Sequence, residues 1–144
     1  MKEQLPNLYL KGQRQFKDII TQFPDDDLAG PFLMSPNSLY AFQENPLLIV
    51  GQETCAWENS IDDLNKQMKF YEVFNVGIDY KSTPFWNITR KVEAVLGNIP
   101  YSCAWTNISK FDFDGGRAYG IYEKASCDLD EYKQEFDFAT QFTG

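Results

Sequence analysis

Apolar residues recur at the three-to-four-residue spacing of an amphipathic helix in several parts of the chain. The first such stretch predicts a helix over about residues 13–23, because Pro6 and Gly12 weaken the turns before it. The second runs from Ile61 to Phe74, with acidic residues in its first turn, where the helix dipole favours them. The last such stretch lies near the C-terminal end of the sequence, where residues 128 and 131 are spaced as a capping box.

The clearest helix signal starts at Thr83-Pro84, a capping residue followed by proline at the first helical position. Apolar side chains at positions 85, 88, 92, 95 and 96 then predict one buried face, and Gly97 predicts the end of the helix. Turn-forming residues at 24–31 and 114–120 predict loops.

Two short apolar runs predict strands. The run of residues 47–50 is continuous and is closed by Gly51, as in a strand that is buried on both faces. The run of residues 101–107 has strand composition and ends at the polar Asn107. With helices between them, these strands predict an α/β fold built on a short parallel sheet.

Composition limits the classes of protein. The length of 144 residues and the apolar fraction of 43% predict one folded domain spanning 1–144. The net charge of −8 opposes general attraction to DNA or to anionic lipid, so nucleic-acid binding needs a local basic patch. We expect a cytoplasmic protein with no membrane segment, because no apolar run approaches the roughly 20 residues of a membrane span and no export signal is visible.

The cysteines and the absence of histidine limit the kinds of catalytic and metal site that the sequence allows. Cys55, Cys103 and Cys127 are widely spaced, which favours reduced thiols, and Cys103 lies in an apolar run typical of a core. No metal and no cofactor are predicted, because the thiols lack the spacing of a zinc or iron–sulfur site. The sequence contains no histidine, so any chemistry uses carboxylates, amides, tyrosine, lysine or backbone groups.

Polar residues follow both predicted strands, where the ligand sites of open α/β sheets lie. After Gly51, a glycine that lets the backbone approach a ligand, Glu53 is a candidate general base and Gln52 a candidate for orienting substrate. Asn107 offers one acceptor and two donors, which suits the edge of a pyrimidine. A turn and a helix cap would account for the same residues.

Three segments together resemble the uracil-DNA glycosylase superfamily, and more closely its poorly characterised uracil-DNA-glycosylase-like branch. Residues 48–54, Leu-Ile-Val-Gly-Gln-Glu-Thr, followed by Trp57, are similar to the first motif of that family. Residues 83–91 are similar to the proline-led helix after its aromatic region, and residues 105–110, Trp-Thr-Asn-Ile-Ser-Lys, to the strand whose asparagine reads the flipped base.

The resemblance implies a three-layer α/β/α fold and roles for individual residues. It makes Glu53, with Gln52, the group that aligns the attacking water, and Asn107 the reader of the base edge. Stacking on Phe85 or Trp57 would hold the base, with Gly51 beside it. DNA phosphates would meet basic residues if these converge: Lys81, Arg90, Lys91, Lys110 and Arg117.

The sequence departs from the family in lacking the late histidine motif that supports the departing base. Two strands also leave a parallel sheet edge exposed. We therefore expect the chain to be the N-terminal portion of a larger protein, incomplete at its C-terminus; a naturally shortened form is the alternative.

Three functions remain open at this point. The first is hydrolysis of N-glycosidic bonds in DNA, with DNA or a free nucleobase or nucleotide as partner. The second is nucleobase binding, by a module that has the same pocket but no catalytic activity. The third is an acidic protein-interaction domain that mimics DNA through Asp25–Asp27, Asp112 and Asp114.

Overall fold

The computed structural model describes residues 4–23, 28–58, 60–79 and 83–116. Within them lie three α-helices and four strands: α1 Gln4–Gln22, β1 Leu28–Ala29, β2 Leu48–Gly51, α2 Leu64–Phe74, α3 Pro84–Val95, β3 Ala104–Asn107 and β4 Asp112–Phe113. The chain is thus a mixed α/β protein. The final helix predicted near residues 128–139 lies outside the described residues. Among the described helices, none is both long enough and apolar enough to cross a membrane.

The two predicted strands form one parallel sheet. β2 pairs with β3 in a register that places Leu48 opposite Ala104 and Gly51 opposite Asn107. β3 begins at Ala104 rather than at residue 101, because Tyr101 adopts a left-handed backbone conformation with φ of 63°. The carboxyl ends of both strands therefore coincide at one edge of the sheet.

One expectation about β2 is wrong. Its run of apolar residues predicts burial on both faces, whereas β3 is fully buried and β2 is only partly covered, with Val50 38% exposed. Within the described residues, β2 has β3 as its single neighbouring strand, which leaves its outer side less protected.

Helix α1 is longer than the sequence predicts. It begins at Gln4 and continues through Pro6 and Gly12. Pro6 is tolerated because it lies in the first turn, where backbone N–H groups have no partner within a helix. Leu5, Leu8 and other apolar side chains of this first half are buried in the core, and their packing outweighs the weak local propensity.

Helix α3 begins at its predicted cap, whereas α2 begins later than the sequence predicts. Asp63 caps α2 by accepting a hydrogen bond from the backbone N–H of Lys66, so α2 starts at Leu64 and not at Ile61. Thr83 caps α3 in the same way through the N–H of Trp86, with Pro84 at the first helical position. This part of the prediction is confirmed.

The buried face of α3 is not the one that its apolar pattern predicts. Trp86, Thr89 and Glu93 face the interior, whereas Ile88 and Val95 are 62% and 86% exposed. Trp86 is buried in the core, where an indole buries a large apolar area. Glu93 faces inward because its carboxylate accepts hydrogen bonds from the backbone N–H groups of Tyr101 and Cys103.

A second, very short sheet joins distant parts of the chain. β1 pairs antiparallel with β4, with Leu28 opposite Phe113 and Ala29 opposite Asp112. The predicted loop over residues 24–31 is therefore wrong at 28–29, while residues 24–27 lie outside the described part. Two residues are too few to carry an alternating pattern, so the sequence gives no sign of these strands.

Candidate functional site

A cavity of about 400 Å³ opens at the carboxyl ends of β2 and β3. Its polar lining includes the loop Gln52–Thr54 and Asn107. Six aromatic residues from four parts of the chain form the rest of its wall: Trp57, Phe70, Phe74, Phe85, Trp86 and Trp105. We call this space the aromatic cavity.

The parallel sheet brings the two polar loops together. Beyond the paired strands, the N–H of Ile108 donates to the carbonyl of Gly51 at 3.0 Å, and the N–H of Ser109 donates to the carbonyl of Gln52 at 2.8 Å. The backbone ladder thus extends into both loops. Glu53 and Asn107 lie at the same rim because of this continuation.

Asn107 is held in one orientation by its neighbour on the strand. It is completely buried, and its Oδ1 accepts a hydrogen bond from the indole Nε1 of Trp105 at 3.0 Å. Since an indole N–H can only donate, it fixes the amide oxygen toward Trp105 and leaves the amide nitrogen on the other side. The Asn107 Nδ2 is buried without a hydrogen-bond partner among the described residues.

Gly51 makes this close approach possible. A Cβ atom built at Gly51 would overlap the Asn107 Oδ1 and would lie 3.2 Å from the Trp105 Nε1. Glycine is therefore required here by space rather than by a turn. Gly51, which the sequence predicts as a base-site residue, lies against the Asn107 side chain.

A Gly51→Ala variant is expected to lose about 1–3 kcal/mol of unfolding free energy, because the new methyl group forces Asn107 away from Trp105. Urea unfolding followed by circular dichroism measures this loss. Gly116→Ala is the matched control, since the nearest atom to a Cβ at Gly116 is 3.8 Å away. Equal stability of the two variants would contradict the close packing of Asn107 against Gly51.

Glu53 lies at the rim of the cavity. Its side chain is half-buried, and its Oε2 is shielded from solvent without a hydrogen-bond partner among the described residues. The Nε1 of Trp57 is likewise buried and unpartnered there. In the described part of the chain, the residues that line the cavity thus include two unpartnered N–H donors, from Asn107 and Trp57, and one unpartnered carboxylate oxygen, from Glu53.

Asp112 fixes the loop that carries Glu53. Its Oδ2 accepts hydrogen bonds from the Thr54 hydroxyl at 2.6 Å and from the Trp57 N–H at 3.1 Å. This carboxylate is completely buried, so Asp112 does not belong to the acidic surface of a DNA mimic, and that part of the expectation is wrong. Asp114 is exposed, and Asp25–Asp27 lie outside the described residues.

Trp105 is the centre of the aromatic wall. Its backbone N–H donates to the Tyr71 hydroxyl at 2.9 Å, and that hydroxyl donates back to the Trp105 carbonyl at 3.0 Å. The rings of Trp57 and Trp86 lie 5.7 and 5.4 Å from the Trp105 ring, at angles of 83° and 86°. The wall thus presents rings in nearly perpendicular planes.

The predicted phosphate contacts do not converge on the cavity. Lys110 is completely buried, its Nζ donates to the Thr106 hydroxyl at 2.9 Å, and it cannot meet a phosphate at the surface. Arg90 lies over the Tyr101 ring and forms an ion pair with Glu93. Lys91 is exposed on α3. Lys81 and Arg117 lie outside the described residues.

Cys103 is a core residue, as expected, and Cys55 is exposed beside the cavity. Burial, reinforced by the nearby negative charge of Glu93, raises the pKa of the Cys103 thiol to about 12. Cys127 lies outside the described residues. In the part of the chain that the structure describes, no group of three or more cysteine, aspartate or glutamate side chains could hold a metal ion.

We expect Cys103 to react with iodoacetamide on the order of 100-fold more slowly than Cys55 in the folded protein at mildly alkaline pH, because alkylation requires an accessible thiolate. Raising the pKa lowers the thiolate fraction at that pH. Peptide mapping by mass spectrometry separates the two sites, and labelling in urea provides the unfolded control. Equal labelling of the two sites in the folded protein would contradict the burial of Cys103.

The sequence predicts six of the residues that line the aromatic cavity: Gly51, Gln52, Glu53, Trp57, Phe85 and Asn107. It misses Trp105, Trp86 and Asp112. The two-residue spacing of Trp105 and Asn107 places them on one face of a strand, which is a signal that could have linked them. The partnership of Asp112 with Thr54 spans 58 positions and has no local signal.

The comparison with known proteins finds no relative of this chain. No protein-family model, curated protein or solved structure matches this chain. The resemblance to the uracil-DNA glycosylase superfamily therefore stays a prediction that rests on the three sequence segments.

Proposed function

We propose that the chain recognises a nucleobase in the aromatic cavity, within a domain similar to the uracil-DNA-glycosylase-like branch. The observation that carries this proposal is the fixed amide of Asn107, whose buried Nδ2 has no hydrogen-bond partner in the described part of the chain. An unsatisfied buried donor is costly, so a ligand oxygen that accepts from it would be strongly favoured.

A planar base fits the remaining features of the cavity. Bases stack on aromatic side chains through their ring faces, with a typical contribution of about 1–3 kcal/mol per base. Asn107 offers N–H groups to a keto oxygen, and Glu53 offers an acceptor to a ring N–H. Uracil and other keto bases carry both groups along one edge.

The test is a titration of tryptophan fluorescence with uracil, uridine and cytosine. All three tryptophans of the chain line the cavity, so the whole tryptophan signal reports on it. Saturable quenching by the keto bases, with weaker quenching by cytosine, is the expected result. Absence of saturable binding by any base would overturn the proposal.

Hydrolysis of the N-glycosidic bond is the second candidate, favoured by the shielded Glu53 Oε2 at the cavity rim. In this reaction Glu53 takes a proton from water as the oxygen attacks the sugar C1′, and the C–N bond breaks with its electron pair moving to the base. N–H groups of Asn107 and Trp57 would stabilise the negative charge on the departing keto base.

Loss of the carboxylate in Glu53→Gln should slow base release from uracil-containing DNA by about 10²–10⁴-fold, the usual contribution of a general base. Strand scission after alkali treatment measures the abasic product. The exposed Glu44→Gln is the control. Base release at an unchanged rate in Glu53→Gln would remove the hydrolytic role, while base binding would remain as a separate question.

A further inference from the structure

The aromatic cavity has an electron-rich lining, in which the Trp86 ring has the Arg90 guanidinium 5.7 Å from its centroid. Six aromatic residues and the carboxylate-bearing Glu53 line it, and no lysine or arginine is among its lining residues in the described part of the chain. The faces of aromatic rings carry negative potential, which attracts cations, most strongly at tryptophan. Three of the six rings are tryptophans.

The tryptophan rings that line the cavity lie in different planes. Trp57 and Trp86 stand nearly perpendicular to Trp105, at angles of 83° and 86° and centroid distances of 5.7 and 5.4 Å. Rings in different planes can contact one ligand at its face and its edges, as in the aromatic cages that bind quaternary ammonium groups.

Glu53 strengthens the preference for positive charge. A carboxylate oxygen that is shielded from water is costly unless a cation or hydrogen-bond donors compensate it. The buried Glu93 meets this requirement through Arg90, with their Nε and Oε2 atoms 3.1 Å apart. The Oε2 of Glu53 has neither kind of partner among the described residues.

We infer that the base recognised in the aromatic cavity is a cationic, N-alkylated nucleobase that also carries a keto oxygen, such as the base of 7-methylguanosine, which is positively charged while it is bonded to the sugar. This inference rests on the proposed function and names its substrate class. The positive ring would stack on the tryptophans and face Glu53, and the keto oxygen would accept from the Asn107 Nδ2. An alkylammonium group satisfies the aromatic rings and Glu53 but gives the Asn107 donor no acceptor.

The inference is tested by calorimetric titration of the full chain, in slightly acidic buffer, with 7-methylguanosine and guanosine. The two ligands differ in one methyl group and one positive charge. We expect 7-methylguanosine to bind at least about 10-fold more tightly, as a desolvated cation–π contact would give. 1-Methyladenosine, which carries the charge without a keto oxygen, should bind more weakly than 7-methylguanosine.

The Glu53→Gln variant should reduce the preference for 7-methylguanosine over guanosine, whereas the exposed Glu44→Gln should leave it unchanged. Equal affinity for the two nucleosides in the parent chain would overturn the inference. Equally tight binding of tetramethylammonium or of a trimethyllysine peptide would also overturn it, because the ligand would then be an alkylammonium group.

Failure of this inference can be told apart from failure of the proposed function. If uridine binds and the methylated nucleosides show no advantage, the cationic class is wrong and base recognition stands. If no nucleobase binds at all, both proposals fall.

Discussion

The Asn107→Asp variant is expected to bind keto bases about 100-fold more weakly than the parent chain, equivalent to about 2.8 kcal/mol. The substitution conserves shape and still offers Trp105 an oxygen to accept its indole hydrogen. It replaces the amide nitrogen by a second oxygen, however, so a keto oxygen on the ligand meets an acceptor in place of a donor. Fluorescence titration with uridine measures the change.

Asn65→Asp provides the matched control for this variant, because Asn65 is exposed on α2 and does not line the aromatic cavity. It introduces the same added negative charge without touching the site. The two variants should unfold cooperatively in urea, which separates lost binding from lost folding. Undiminished binding of uridine by Asn107→Asp would show that this amide does not read the base.

Replacement of Glu93 by alanine should lower the unfolding free energy by about 3–5 kcal/mol, the usual cost of breaking a buried ion pair. The variant leaves the guanidinium of Arg90 without its carboxylate partner. It also removes the acceptor of the Tyr101 and Cys103 N–H groups, which Glu93 binds at 3.1 and 2.8 Å. Urea unfolding at neutral pH gives the free energy.

Exposed Glu44→Ala is the control for Glu93→Ala and should change stability little, since substitutions at exposed positions are typically within about 0.5 kcal/mol. A loss below 1 kcal/mol in Glu93→Ala would contradict the account of α3, in which this carboxylate fixes the segment leading into β3.

The sequence predicts best what short-range patterns encode. The cap at Thr83 and the pairing of two short apolar runs follow from local chemistry and from the rule that helices connect parallel strands. The placement of Glu53 and Asn107 at one rim follows in turn, because both lie at the carboxyl ends of the paired strands.

Features that depend on distant packing cannot be predicted from local sequence patterns. The first half of α1 is helical because Leu5 and Leu8 are buried in the core, although Pro6 and Gly12 oppose a helix locally. The apolar pattern predicts the wrong buried face for α3, because the carboxylate of Glu93 faces inward while apolar residues such as Ile88 are exposed. Apolar spacing cannot reveal such a partner, since the backbone N–H groups that it binds carry no sequence signature.

In the candidate site, too, some features follow from local sequence and others depend on tertiary packing. Residue type and position predict Gly51, Glu53 and Asn107, but the orientation of the Asn107 amide depends on the indole of Trp105. Burial of Lys110 likewise depends on tertiary packing, so its charge and position alone wrongly predict a phosphate contact.

The most direct test of the central claim follows the side-chain amide of Asn107 by heteronuclear NMR. The signal is assigned by its disappearance in Asn107→Asp, and the labelled chain is then titrated with uridine and with 7-methylguanosine. The account predicts that the two Asn107 N–H signals shift with saturation as a ligand oxygen accepts from Nδ2. Saturable binding that shifts other amides and leaves these two signals unmoved would contradict it.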